Sequence, residues 1–99
     1  MDITDKGIEY LREAIVKQAA DDYLYWSGKL YRITKYGKVY SKENEYTFIK
    51  RLKEVRKFFG SRKYRTLCEI DGEYFLERLE DKFRKEIVPM IDEEMKKDA

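Results

Sequence analysis

The chain has no histidine, one cysteine and one proline among its 99 residues. Without an imidazole, Ser-His and Cys-His catalysis are excluded, and so are most zinc sites. The lone thiol of Cys68 rules out a disulfide framework and fits a reducing compartment. Gly7, Gly28, Gly37, Gly60 and Gly72 are scattered singly, so no glycine-rich phosphate loop is present. No run approaches the ~20 consecutive apolar residues of a membrane span, and there is no low-complexity tract. The opening Met-Asp-Ile-Thr-Asp has neither the basic nor the apolar region of a secretion signal. The expectation is a cytoplasmic protein with no membrane association, one domain over residues 1–99.

What is present is charge and aromatic surface. Charged residues make up 42% of the chain, hydrophobic residues another 42%, and there are nine Tyr, five Phe and one Trp. Nine tyrosines exceed what so small a core holds, so some are expected to sit half-exposed, as at an interface. The net charge of +2 hides a segregation. Residues 1–28 and 67–99 are acidic on balance, whereas residues 29–66 carry thirteen basic side chains against Glu43, Glu45 and Glu54. Such a segment attracts phosphate or an acidic protein surface, unless it lies against the chain's own acids.

The spacing predicts helices. Thr4 or Asp5 is placed to cap a first helix of ~25–30 residues whose stripe is Ile8, Leu11, Ile15, Ala19, Tyr23, Trp26, Leu30 and Ile33, with Gly28 ending or bending it. Residues 31–42 alternate weakly and read as a loop after a frayed helix end, with a short hairpin as the alternative. Ser41, Asn44 and Glu45 open a second helix with Phe48, Ile49, Leu52, Val55 and Phe59 inward. Gly60 is expected to stop it in a left-handed conformation. Ser61 caps a short third helix from Arg62 to about Glu69, which turns Tyr64, Leu67 and Cys68 to the core. Asp71 caps a fourth, and Pro89 kinks or ends it. The fold class is all-α: a small bundle with one long N-terminal helix, a second helix, a short linker helix and a C-terminal helix altered near Pro89.

The segment from Glu54 to Leu76, with its Phe58-Phe59, Ser61-led aromatic stretch and Ile70-Asp71-Gly72-Glu73-Tyr74-Phe75-Leu76, resembles a pattern in small proteins of Firmicutes prophages and conjugative elements. Ala14-Ile15-Val16-Lys17-Gln18-Ala19 upstream fits the same pattern. The resemblance covers about a third of the chain. It implies a mobile-element setting and transfers no activity and no site residue.

Chemistry is sparse. Asp21 with Asp22, Glu77 with Glu80 and Asp81, and Asp92 with Glu93 and Glu94 read as solvated helix faces, because general acid–base work and hard-metal binding need carboxylates converging on a cleft. No cofactor, metal or catalytic residue is assigned, and the chain is expected not to be an enzyme. The sharp feature is basic: Lys50, Arg51, Lys53, Arg56 and Lys57 on the second helix, and Arg62, Lys63 and Arg65 on the third. A solvated face with intramolecular salt bridges, nucleic-acid contact and docking on an acidic protein surface are the three open fates of these side chains. The two helices joined at Gly60-Ser61 resemble a helix-turn-helix in outline only. Tyr31, Tyr36, Tyr40 and Tyr64 are the aromatic candidates for a partner surface.

The first functional expectation is a stoichiometric protein-binding module, in concrete form an inhibitor of a host defence nuclease of the RNA-guided (anti-CRISPR) type. The alternative is a nucleic-acid-binding accessory protein of mobile-element replication, recombination or regulation. A host protein or nucleoprotein complex is the expected partner, and the protein itself is a monomer or a homodimer.

Overall fold

A computed structural model describes the backbone of residues 5–97 and the side chains of residues 9–97. Among the described residues there are helices and no strand, so the fold is an all-α bundle. The hairpin alternative for residues 31–42 is excluded with it.

Helix α1 runs Asp5–Tyr36, 32 residues, longer than the sequence suggests. At 1.5 Å per residue it is about 48 Å long, nearly the whole 53 Å long axis of the molecule. The expected cap at Thr4 or Asp5 lies outside the described side chains. Gly28 does not end the helix. It is buried at a helix crossing, where an added Cβ would stand 3.5 Å from Ile91 Cδ1. The helix stops instead at Gly37, whose φ of +65° is the left-handed value that favours glycine. Its N–H donates to the Ile33 carbonyl at 2.9 Å. Residues 31–36, expected as a loop, are therefore the last turns of α1.

Helix α2, Glu45–Phe59, opens on Asn44, whose Oδ1 accepts the Thr47 N–H at 3.1 Å. Gly60 does not adopt the expected left-handed conformation; its φ is −92°. The turn closes through Ser61, whose N–H and hydroxyl both donate to the Phe58 carbonyl, at 3.0 and 2.6 Å. Ser61 Oγ also accepts the Tyr64 N–H at 3.2 Å and starts α3, Arg62–Leu67. α3 ends before Glu69 because Cys68 is already extended. Asp71 then accepts the Tyr74 N–H at 3.0 Å and starts α4, Gly72–Lys82.

The chain continues helically past Pro89. A π-helical turn, Phe83–Ile87, leads into α5, Val88–Lys97. Proline lacks an N–H and its ring collides with the carbonyl four residues back. In the wider turn the Val88 N–H reaches the Phe83 carbonyl, so the helical path survives a residue that an α-turn does not accommodate.

α2 lies antiparallel to α1: Trp26 stacks on Phe48 at 5.6 Å, and Arg56 sits over the Tyr23 ring. The α4–α5 path runs alongside α1 in the same sense, from the Phe75–Leu79 stretch beside Val16 and Ala20 to Ile91 beside Gly28. Phe48, Phe59, Tyr64 and Ile91 are almost fully buried. Phe59 stacks on Phe75 with centroids 5.1 Å apart, and Tyr64 completes that aromatic knot. Gly72 fits beneath it without a side chain: a Cβ there would lie 1.8 Å from the Phe59 carbonyl oxygen.

The expected α1 stripe is only partly covered. Val16 and Tyr23 are buried, and Ala19, Trp26 and Leu30 pack against the core. Leu11 and Ile15 are 54% and 42% exposed, Ile15 although the neighbouring Val16 is buried, because the inward face runs through Val16 and Tyr23. Val39, on the loop after α1, is 87% exposed.

Candidate functional site

On a helix that advances about 100° per residue, the buried Phe48, Leu52 and Phe59 define the inward face of α2. Lys50, Lys53 and Lys57 then fall opposite, within about 60° of arc. They form one outward row, with Arg51 and Arg56 on its two flanks. Arg62, Lys63 and Arg65 follow on α3, across the Gly60–Ser61 turn, while Tyr64 points inward between them. All eight side chains are exposed.

Few of these eight are paired with a carboxylate. Among the described residues only Arg51 has a carboxylate within 4 Å, Glu54 at 3.4 Å. The flanking guanidiniums lie over rings instead: Arg51 at 6.0 Å from the Trp26 centroid and Arg56 at 5.8 Å from that of Tyr23. Lys50, Lys53, Lys57, Arg62, Lys63 and Arg65 have no such partner among the described residues. Of these eight, internal salt bridging therefore engages Arg51 alone, and the rest are a solvated face.

The tyrosines behave differently. Tyr64 is fully buried, and its hydroxyl donates to the Ile70 carbonyl at 2.7 Å. Burial pushes its hydroxyl well above the ordinary tyrosine pKa, with Cys68 adding to the shift. Tyr64 is thus withdrawn as a partner-binding residue: the Ser61 cap sets α3 so that this ring enters the aromatic knot. Tyr31 and Tyr36 donate to the same Asp92 oxygen, at 2.8 and 2.5 Å. Tyr40 packs edge-on against Phe48, with the Lys29 ammonium 4.3 Å from its ring centroid. The three hold α1, α5 and the loop after α1 together, and they do not join the Lys50–Lys53–Lys57 row.

Two residues matter that the sequence pattern left unmarked. Asp92, read as part of a solvated acidic face, is the hub of the α1–α5 contact. Besides the two tyrosines it accepts from Lys35 at 3.1 Å. Hydrogen bonds from Tyr36, Tyr31 and then Lys35 lower its carboxyl pKa to about 2. Next to it Arg32 binds Glu94 at 2.7 Å and lowers that carboxyl as well. The second is Tyr46, 73% exposed, in helical register with Lys50, Lys53 and Lys57. Its spacing to Lys50 was visible in the sequence. That no other element covers it is decided by the packing.

An apolar groove of about 490 Å³ runs between α1 and α4, lined chiefly by Val16, Ala20, Leu67, Phe75 and Leu79. Cys68 lines it half-buried, as a C-cap residue of α3. Among the described residues no cluster of three Cys, Asp or Glu side chains is placed to hold a metal ion. Likewise no described helix is long and apolar enough to cross a membrane. No family model, no curated protein and no solved structure matches the chain.

Proposed function

We propose that this protein is a non-enzymatic nucleic-acid-binding module acting through the α2–α3 side, with a role in mobile-element replication, recombination or regulation. One observation carries the reading: seven cations on two consecutive helices stand exposed with no carboxylate within 4 Å among the described residues. Lysine in particular is depleted at protein–protein interfaces and is a common phosphate ligand. An unpaired row of it favours a polyanion over an acidic protein. α3, at 6 residues, is too short to serve as a recognition helix in a major groove, so the contact is to phosphate and carries little sequence preference.

The test is fluorescence anisotropy with labelled oligonucleotides across a salt series. Phosphate contact gives an affinity that falls linearly in log–log form, by about 0.7 to 0.9 per neutralised phosphate. A salt-independent affinity, or none at low salt, overturns the reading.

A second reading, the stoichiometric inhibitor of an RNA-guided host nuclease, is favoured by the groove between α1 and α4. An open apolar channel suits a helix laid in from a partner. It predicts that one equivalent of protein stops target cleavage by such a nuclease, and that Ala20→Arg, at a half-buried lining position, abolishes the inhibition while circular dichroism shows the fold kept. Full cleavage at tenfold excess ends it.

A further inference from the structure

We propose that the outward face of α2 is a binding site for single-stranded nucleic acid, with the Tyr46 ring as a stacking platform and Lys50, Lys53 and Lys57 as the phosphate contacts. This inference rests on the nucleic-acid reading above and names its ligand class.

Tyr46 stands at the start of α2 and the three lysines follow it by four, seven and eleven residues. The four side chains therefore share one face over about 16 Å of helix axis. Among the described residues, the Tyr46 ring meets no other ring and no cation, and its hydroxyl makes no hydrogen bond. It is 73% exposed. The other exposed tyrosines differ. Tyr25 is engaged by Trp26 and Lys29. Tyr10 and Tyr74 have Glu9, Glu13 and Glu73, Glu77 within a turn, so phosphate is repelled beside them. Tyr46 also has acids close in sequence, Glu45 beside it and Glu43 three residues before, but both lie on its N-terminal side, away from the lysines that follow.

A free aromatic face at the head of a cation row is the pairing used on single strands: the backbone follows the charges while a base stacks on the ring. A duplex cannot use it, since its bases are already stacked and the ring meets only the backbone. Hence the ring distinguishes the two ligands, whereas the lysines serve both.

The experiment compares a labelled 20-nucleotide oligothymidylate with a duplex of equal length, at matched salt, for the wild type, Tyr46→Ala, Tyr46→Phe and Lys53→Glu/Lys57→Glu. The wild type is expected to prefer the single strand. Tyr46→Ala is expected to weaken single-strand binding roughly 5- to 150-fold, the effect of losing one stacked base. It leaves duplex affinity and the salt slope unchanged, and Tyr46→Phe keeps the wild-type affinity because the ring and not the hydroxyl stacks. Circular dichroism verifies that each variant is folded. If Tyr46→Ala binds the single strand like the wild type, or the wild type prefers the duplex, the stacking site is overturned. Loss in the lysine variant then still sustains the polyanion reading. If the wild type binds neither probe, both fall.

Discussion

Two cationic stretches of this chain look alike on paper and end up doing opposite things. In residues 29–38, Arg32 and Lys35 reach across to Glu94 and Asp92 and are absorbed into the α1–α5 contact, and Lys29 is absorbed among rings. In residues 50–65, seven cations are left facing solvent, with no carboxylate in reach among the described residues. Only neighbours in space separate the two. α5 brings three carboxylates past the end of α1, whereas the outer faces of α2 and α3 meet no acidic helix. Charge in the first stretch holds the fold together, and charge in the second is available to a ligand.

The largest effect removes the scaffold on which both stretches stand. Gly72→Ala places a methyl 1.8 Å from a backbone oxygen that cannot move without parting α2 from α4. A destabilisation of about 3 kcal/mol or more is expected in urea unfolding. A domain of this size has only about 5–15 kcal/mol in total, so the loss takes a large share of its margin. Unchanged stability in Gly72→Ala contradicts the close α2–α4 packing.

Next comes the test that separates the two stretches. Lys53→Glu with Lys57→Glu is expected to weaken oligonucleotide binding on the order of 100-fold, from two reversed charges at close range. Stability is expected to move by less than about 0.5 kcal/mol, as for exposed side chains without partners. A large stability change with intact binding inverts the comparison.

The converse variant is Asp92→Asn. The folded carboxyl has a pKa of about 2, below its ordinary value, so its contribution to stability is present above about pH 4 and is lost as pH falls towards 2. The wild type is expected to lose thermal stability across that window. Asp92→Asn starts from a lower Tm at pH 7, shows a flatter profile between pH 4 and 2, and binds oligonucleotide like the wild type. An unaltered acid profile in Asp92→Asn removes Asp92 from its role as hub.

The smallest effect has a positive sign. Gly28 sits in the middle of α1, and a Cβ there meets only ordinary van der Waals contacts at 3.5 Å. Gly28→Ala is expected to stabilise by about 0.5–1 kcal/mol through helix propensity, measured by urea unfolding. A loss of stability shows that α5 needs the glycine to approach.

Much of the fold was legible locally. The Ser61 and Asp71 caps are short-range hydrogen bonds, and the Phe48-Leu52-Val55-Phe59 spacing is a one-helix property, so both are written in adjacent residues. Gly60 and Gly37 show where that ends. Both are glycines after an apolar stripe, but only Gly37 takes the left-handed conformation, since at Gly60 the Ser61 side chain and amide already satisfy the Phe58 carbonyl. The candidate site was legible to the same degree. The basic residues announced themselves by composition. Tyr46 did not, because its register with the lysines was legible but only packing decides whether another element covers that face. Tyr64 was read two ways, and its burial bears out the core-facing spacing of α3 and overturns the binding role suggested by the arginines around it.

By itself the sequence determined an all-helical chain, most helix starts and a basic middle segment, all of which depend on interactions within a few residues. Tertiary structure alone decided that α1 runs on to Tyr36, that a π turn carries the chain past Pro89, that Leu11 and Ile15 stay uncovered, and which cations keep a partner. Each of those depends on residues tens of positions apart meeting across a helix crossing, and periodicity along one helix holds no information about what packs against it.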